Sequence, residues 1–135
     1  MIEEIVKKWT QKAENDFKTG RDELLTDEPA TDMVCFHMEQ CIEKYLKAFL
    51  VFHSKDFRRT HNIAELIELC KEMDHEFEKL YEMNADKLTI YAVEVRYPED
   101  FYMPALEEAK KCLEVATEVK HFVRTKLKNK GINDL

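Results

Sequence analysis

Residues Asp32 to His53, DMVCFHMEQCIEKYLKAFLVFH, decide the fold. At 100° per residue, Val34, Met38, Cys41, Ile42, Tyr45, Ala48, Phe49 and Phe52 fall within an arc of roughly 160°. An arc this wide suits a helix packed on two or three others. The stretch holds no Gly or Pro and no run long enough to span a bilayer. On the other side His37, Gln40, Lys44 and Lys47 form a narrow polar strip at i, i+3, i+7 and i+10, which reads as a solvated face. Glu39 and Glu43 also read as exposed, and a carboxylate pair needs burial to shift a pKa. The expected fold is all-α: an up-and-down helical bundle of four to five helices, one domain over residues 1–135, with this segment at its centre.

Composition supports that fold. Hydrophobic residues are 44% and charged residues 36%, a globular balance. Two Gly and three Pro leave little material for hairpins. A net charge of −7 makes the whole molecule repel nucleic acid at long range, so any RNA or DNA must meet a local basic patch. Cys35, Cys41, Cys70 and Cys112 make no C-x-x-C pair and sit among apolar residues, as free thiols in a core do. The N-terminus, MIEEIVKKWTQKAEND, is charged and amphipathic with no signal region. The expectation is a cytoplasmic protein that does not enter a membrane.

The other helices are set by their spacing. Ile2, Ile5, Val6, Trp9, Ala13, Phe17, Gly20 and Leu24 predict a first helix over about 2–25. Gly20 either lets a neighbour approach closely or ends that helix early. Asn62 with Glu65 three residues on is a capping-box pattern, opening a third helix whose stripe is Ile63, Leu66, Ile67, Cys70 and Met73. Asp74 to Val95 keeps a helical period interrupted at Asn84, giving two short helices or one kinked helix. Arg96 to Met103 reads as a loop, since the residue before Pro98 is pushed out of the helical region. Pro104 suits the first position of a last helix that buries Leu106, Ala109, Leu113, Ala116, Val123 and Leu127 and ends at Gly131.

Arg58, Arg59, Thr60, His61 and Asn62 form the clearest local site. They lie at a helix start, where free N–H groups and the dipole favour an anion, and two guanidiniums there can hold a phosphate. The alternative is an exposed basic loop with His61 or Asn62 as a cap. Lys44 and its strip could line the same cleft. Arg96, stiffened by Tyr97-Pro98, either binds phosphate or holds its loop through Glu99 and Asp100. Tyr91, Tyr97, Phe101 and Tyr102 could stack a base or form a subunit contact. His37 and Cys41 stand at i, i+4 with no third metal ligand nearby. There is no Gly-rich phosphate loop, Ser-His-Asp set or zinc spacing, so no metal or cofactor is expected.

The order of the pieces carries a resemblance. HMEQCIEKYLKAFL, then THNIAEL, then YAVEVRYP, in this order and spacing, resembles HEPN-domain proteins, the small helical bundles of prokaryotic nucleotidyltransferase-associated and toxin–antitoxin systems. The resemblance spans about Trp9 to Lys126. It implies a homodimer, a nucleotidyltransferase as the companion protein, and a link to nucleotide or RNA. Many members are metal-independent ribonucleases with an Arg, four to six residues, then a His. Arg96 matches the first half. Phe101, Tyr102 and Met103 stand where the His would be. Unperturbed Tyr titrates near 10 against about 6.5 for His, so Tyr102 would be a poor base. His61 is then the candidate replacement, with Arg96, His61 and Tyr102 as the catalytic set of a nuclease reading. A phosphate-binding module using Arg58, Arg59, Thr60, His61, Lys44 and Arg96 ranks above it. A plain interaction bundle is the third reading.

Overall fold

A computed structural model of the chain describes residues 1–93, 98 and 102–135. The long helices are α1 (Ile2–Leu24), α2 (Thr31–Phe52), α3 (Ile63–Met73) and, last in the chain, α6 (Leu106–Asn129). Between α3 and α6 come a 3-10 turn (His75–Glu78), α4 (Lys79–Glu82), a second 3-10 turn (Ala85–Thr89) and α5 (Ile90–Val93). No strand occurs among the described residues. The all-α bundle is as the periodicity predicts.

α2 is the pillar. α1, α3, α5 and α6 all pack on it. Val34, Met38, Cys41, Ile42, Tyr45, Ala48 and Phe49 are fully buried. Burial runs further round the helix than the apolar arc, taking in Cys35, Leu46 and Leu50, and also Glu39 and Glu43. The expectation that these two carboxylates are exposed is therefore wrong. A helix covered by four neighbours has almost no free face. The polar strip meets α1 instead of open solvent: Asp16 of α1 pairs with both His37 and Lys44.

Gly20 does not end α1. A Cβ there would stand 2.5 Å from Met38 Cε and 3.4 Å from the Val34 carbonyl oxygen, so the glycine is what lets α1 lie this close to α2. Val6, Ala13 and Phe17 share that seam, but Ile2 and Ile5, expected on the buried stripe, remain 40% and 44% exposed. Asn62 caps α3 by accepting the Glu65 N–H at 3.1 Å. Asn84 interrupts the next stretch as expected, in the left-handed region at φ 62°, and a series of single turns leads from it toward α6.

Two details at the start of α6 differ from expectation. Pro104 lies before the cap, Ala105, and its carbonyl accepts the Thr31 hydroxyl at 2.7 Å, pinning the entry of α6 to the start of α2. Leu106 is 44% exposed, while Ala109, Cys112, Ala116, Val119, Val123 and Leu127 form the buried stripe. Phe49 of α2 stacks on Phe77, which meets Phe122 of α6 edge-on, closing the other end of the core.

Candidate functional site

The polar centre of the molecule forms where α1, α2 and the turn before α3 meet, at Lys47. Its ammonium lies 3.2 Å from Glu43 and donates to the Thr60 carbonyl at 3.4 Å. It also sits over two rings, Trp9 at 5.9 Å and Phe57 at 6.0 Å, which contact each other edge-to-face. His61 from the same turn places Nδ1 3.1 Å from the second Glu43 oxygen. Its Nε2 has no hydrogen-bond partner among the described residues, and the side chain is 44% exposed.

Two buried carboxyls beneath this centre hold opposite charge states. Gln40 donates to Glu39 at 2.7 Å and to Glu43 at 3.2 Å. The second Glu39 oxygen, Oε2, is buried without a partner among the described residues. Burial, reinforced by Glu43 beside it, pushes the Glu39 carboxyl far up and keeps it neutral. Burial opposes ionisation of Glu43 too, but the neutral Glu39 beside it, the charge of Lys47 and the hydrogen bond with His61 outweigh it and hold Glu43 below the usual carboxylate range. The pair thus carries one negative charge, already matched by Lys47.

On the far side of Trp9 an open groove of about 470 Å³ runs along α1, lined by Ile5, Lys8, Trp9, Lys12 and Lys44. Ile5, Lys8, Trp9 and Lys12 fall at i, i+3, i+4 and i+7, one helix face. Lys44 is tied to Asp16. Lys8 and Lys12 are exposed and make no ion pair or hydrogen bond with the described residues.

The residues singled out in the sequence meet mixed surroundings. Arg58 is 71% exposed and grips Glu65 with two nitrogens, at 2.9 and 2.6 Å, so its guanidinium has a partner. Arg59 is exposed and unpaired among the described residues. The Thr60 hydroxyl accepts the Asn62 N–H at 3.0 Å, shaping the turn. Tyr102 donates to Glu108 of α6 at 2.5 Å, and Tyr91 bonds the same carboxylate. That bond raises the Tyr102 phenol further from neutrality. Arg96, Tyr97 and Phe101 lie outside the described residues. Among the described residues no three His, Cys, Asp or Glu side chains gather as a metal site.

Residues 6–127 match the HEPN domain. The chain belongs to the HEPN family. A crystal structure described as that of an archaeal HEPN homologue shares its fold, with a TM-score of 0.68 over 90% of this chain and 96% of that one, at 24% identity. No curated protein matches at significance. In this HEPN chain the sequence alone points to Lys44 and the 58–62 turn but not to what joins them. Trp9 and Phe57 make that join around Lys47, already part of the polar strip, and Lys8 and Lys12 extend it. The available signal was the i, i+3, i+4, i+7 grouping of Ile5, Lys8, Trp9 and Lys12. Ile5 and Trp9 read as part of the apolar stripe of the first helix, and nothing in that pattern set Lys8 and Lys12 apart.

Proposed function

We propose that this HEPN chain is a binding module for nucleotide or RNA phosphate, acting as a homodimer beside a nucleotidyltransferase partner in a toxin–antitoxin-type system. The observation that carries the reading is the groove at Trp9, where Lys8 and Lys12, without a partner among the described residues, stand over an apolar floor. A nucleotide offers a flat base and an anionic phosphate. Trp9 and Ile5 supply the contact for the first, and the lysines supply charge for the second. Lys47, over the Trp9 ring, links that side chain to the turn carrying Arg58, Arg59, Thr60 and His61; Arg96 lies outside the described residues and enters this reading only through the family resemblance. A basic face of this kind is what a chain of net charge −7 needs in order to meet an anion at all. The partner and the dimer rest on the family association.

Trp9 is the only tryptophan, so its emission reports on the groove directly. Titration with a nucleoside triphosphate and with a short RNA is expected to change that emission with saturation in the micromolar range. Raising salt and the double change Lys8→Ala with Lys12→Ala should each weaken binding by tenfold or more, at about 1.4 kcal/mol per decade. No change up to millimolar ligand, or unaltered binding by the double variant, overturns the proposal.

One feature favours a second reading, ribonuclease. Glu43 orients the His61 imidazole and leaves Nε2 outward, the arrangement a general base requires. His61 would take the 2′-hydroxyl proton while Arg96 holds the phosphate. The test is incubation with RNA in chelator, with His61→Ala alongside. RNA left intact at high protein concentration ends this reading.

A further inference from the structure

Cys35 of α2 and Cys112 of α6 face each other in the core with their sulfurs 3.3 Å apart. Disulfide sulfurs stand about 2.05 Å apart, so small side-chain rotations close the gap between these helices. Cys41 and Cys70 are also buried, and neither contacts another thiol among the described residues. The two facing cysteines differ in access. Cys35 is fully buried, whereas Cys112 is 3% exposed and forms part of the wall of a cavity of about 180 Å³. Lys87, Tyr91, Glu108 and Lys111 line the same cavity. A small solute entering there meets Cys112 first, and Cys35 only through it.

The two thiols also differ in acidity. The contact with the Cys35 sulfur, with Tyr91 adding to the effect, holds the Cys112 thiol below its ordinary range despite burial. The Cys35 thiol is pushed up, first by that same contact and then by burial. The more acidic thiol is therefore the accessible one, as a nucleophile must be.

We propose that Cys112 and Cys35 are a peroxide-oxidised dithiol, with Cys112 attacked first and Cys35 resolving it into a disulfide between α2 and α6. The Cys112 thiolate attacks one peroxide oxygen and the O–O bond breaks. The departing hydroxide takes up the thiol proton and leaves as water, so Cys112 becomes a sulfenic acid. The Cys35 sulfur then attacks the sulfenic sulfur. The S–S bond forms, the S–O bond breaks, and hydroxide leaves as a second water with the Cys35 proton. One peroxide is reduced to two waters and two thiols are oxidised to one disulfide. The bond ties α2 to α6 beside Glu108, where Tyr91 and Tyr102 both anchor.

The test treats reduced full-length protein with hydrogen peroxide, counts thiols after unfolding, and maps linked peptides without reductant. The four free thiols are expected to fall to two, with the peptides carrying positions 35 and 112 joined within one chain. Dithiothreitol should restore all four. The oxidised form is expected to melt higher by about 5 °C or more, since the closed loop is long. In Cys35→Ser the reaction should stop at a sulfenic acid on Cys112, captured by a dimedone-type reagent. Four surviving thiols, a link involving Cys41 or Cys70, or a link between chains overturns the proposal, and the mapping on the unaltered protein holds even where a serine variant folds poorly.

Discussion

His61 reaches from the turn before α3 to set its Nδ1 3.1 Å from Glu43, a carboxylate almost wholly enclosed within α2. The bond ties a surface turn to the most polar point of the core. It also helps decide which of two neighbouring carboxyls ionises: Glu43 carries the charge and Glu39 keeps the proton.

That division has a pH signature. Unfolded, Glu39 titrates near 4.5, and folded it is still neutral at pH 7. Across that window the unfolded chain gives up a proton that the folded one keeps. Stability therefore falls as pH rises through that window. The Glu43 shift runs the other way: its contribution is present above its unfolded pKa and is lost as pH falls through the folded one. Glu39→Gln is neutral at every pH. It is expected to melt above the parent at pH 7, with the gap widening from pH 5 to 8 and closing below about pH 4. Parallel melting curves across that range would contradict a protonated Glu39.

Arg58 is occupied by Glu65, but on the surface, where such a pair is worth about 0–1 kcal/mol. Glu65→Gln leaves the backbone N–H that Asn62 caps and weakens the hold on Arg58. On the proposed phosphate reading, the Trp9 titration should tighten by about twofold to fivefold in this variant while melting shifts little. Unchanged affinity would remove Arg58 from the site.

Gly20 sets the spacing of α1 and α2. Gly20→Val puts a Cβ against Met38 and adds two methyls beside the Val34 carbonyl and His37 Cβ, both fixed on α2. The expected cost is about 1–3 kcal/mol by urea unfolding. Shortening Met38 in the same chain should recover only part of it, because the other two contacts cannot give way.

Legibility in the sequence depends on which signals are local. The Asn62 cap, the break at Asn84 and the stop at Gly131 depend on a few neighbouring residues, and each is where the sequence places it. The α2 arc is legible because its eight apolar residues at helical spacing have few other uses; seven are fully buried and Phe52 is half-buried. Glu39 and Glu43 were not legible. A charged side chain reads as exposed unless its partners are known, and here they come both from α2 itself, in Gln40 and Lys47, and from the next turn, in His61. The same is true of the groove. Lys8 and Lys12 share one face of α1, but Lys44 belongs to α2, and only the α1–α2 packing that Gly20 allows brings it to their rim.

The C-termini of α2 and α6 are built alike but place different residues in the left-handed position, Ser54 and Gly131. After α6, Gly131 donates to Lys128 and Ile132 to Leu127, with Gly131 at φ 101°. After α2, Ser54 donates to Val51 and Lys55 to Leu50, with Ser54 at φ 53°. Both are the paired-bond stop that requires a left-handed residue, normally glycine. Serine there pays for its Cβ, by about 1 kcal/mol, against the larger unfolded-state entropy of glycine. Ser54→Gly should therefore stabilise by about 0.5–1 kcal/mol. Gly131→Ala meets no atom within 4 Å, so its cost is purely conformational, about 1 kcal/mol or more. Measured together by urea unfolding, the two changes should have opposite signs and add in the double variant, since the two stops share no hydrogen bond. A destabilised Ser54→Gly would mean that Ser54 is held in place by its side chain rather than tolerated there.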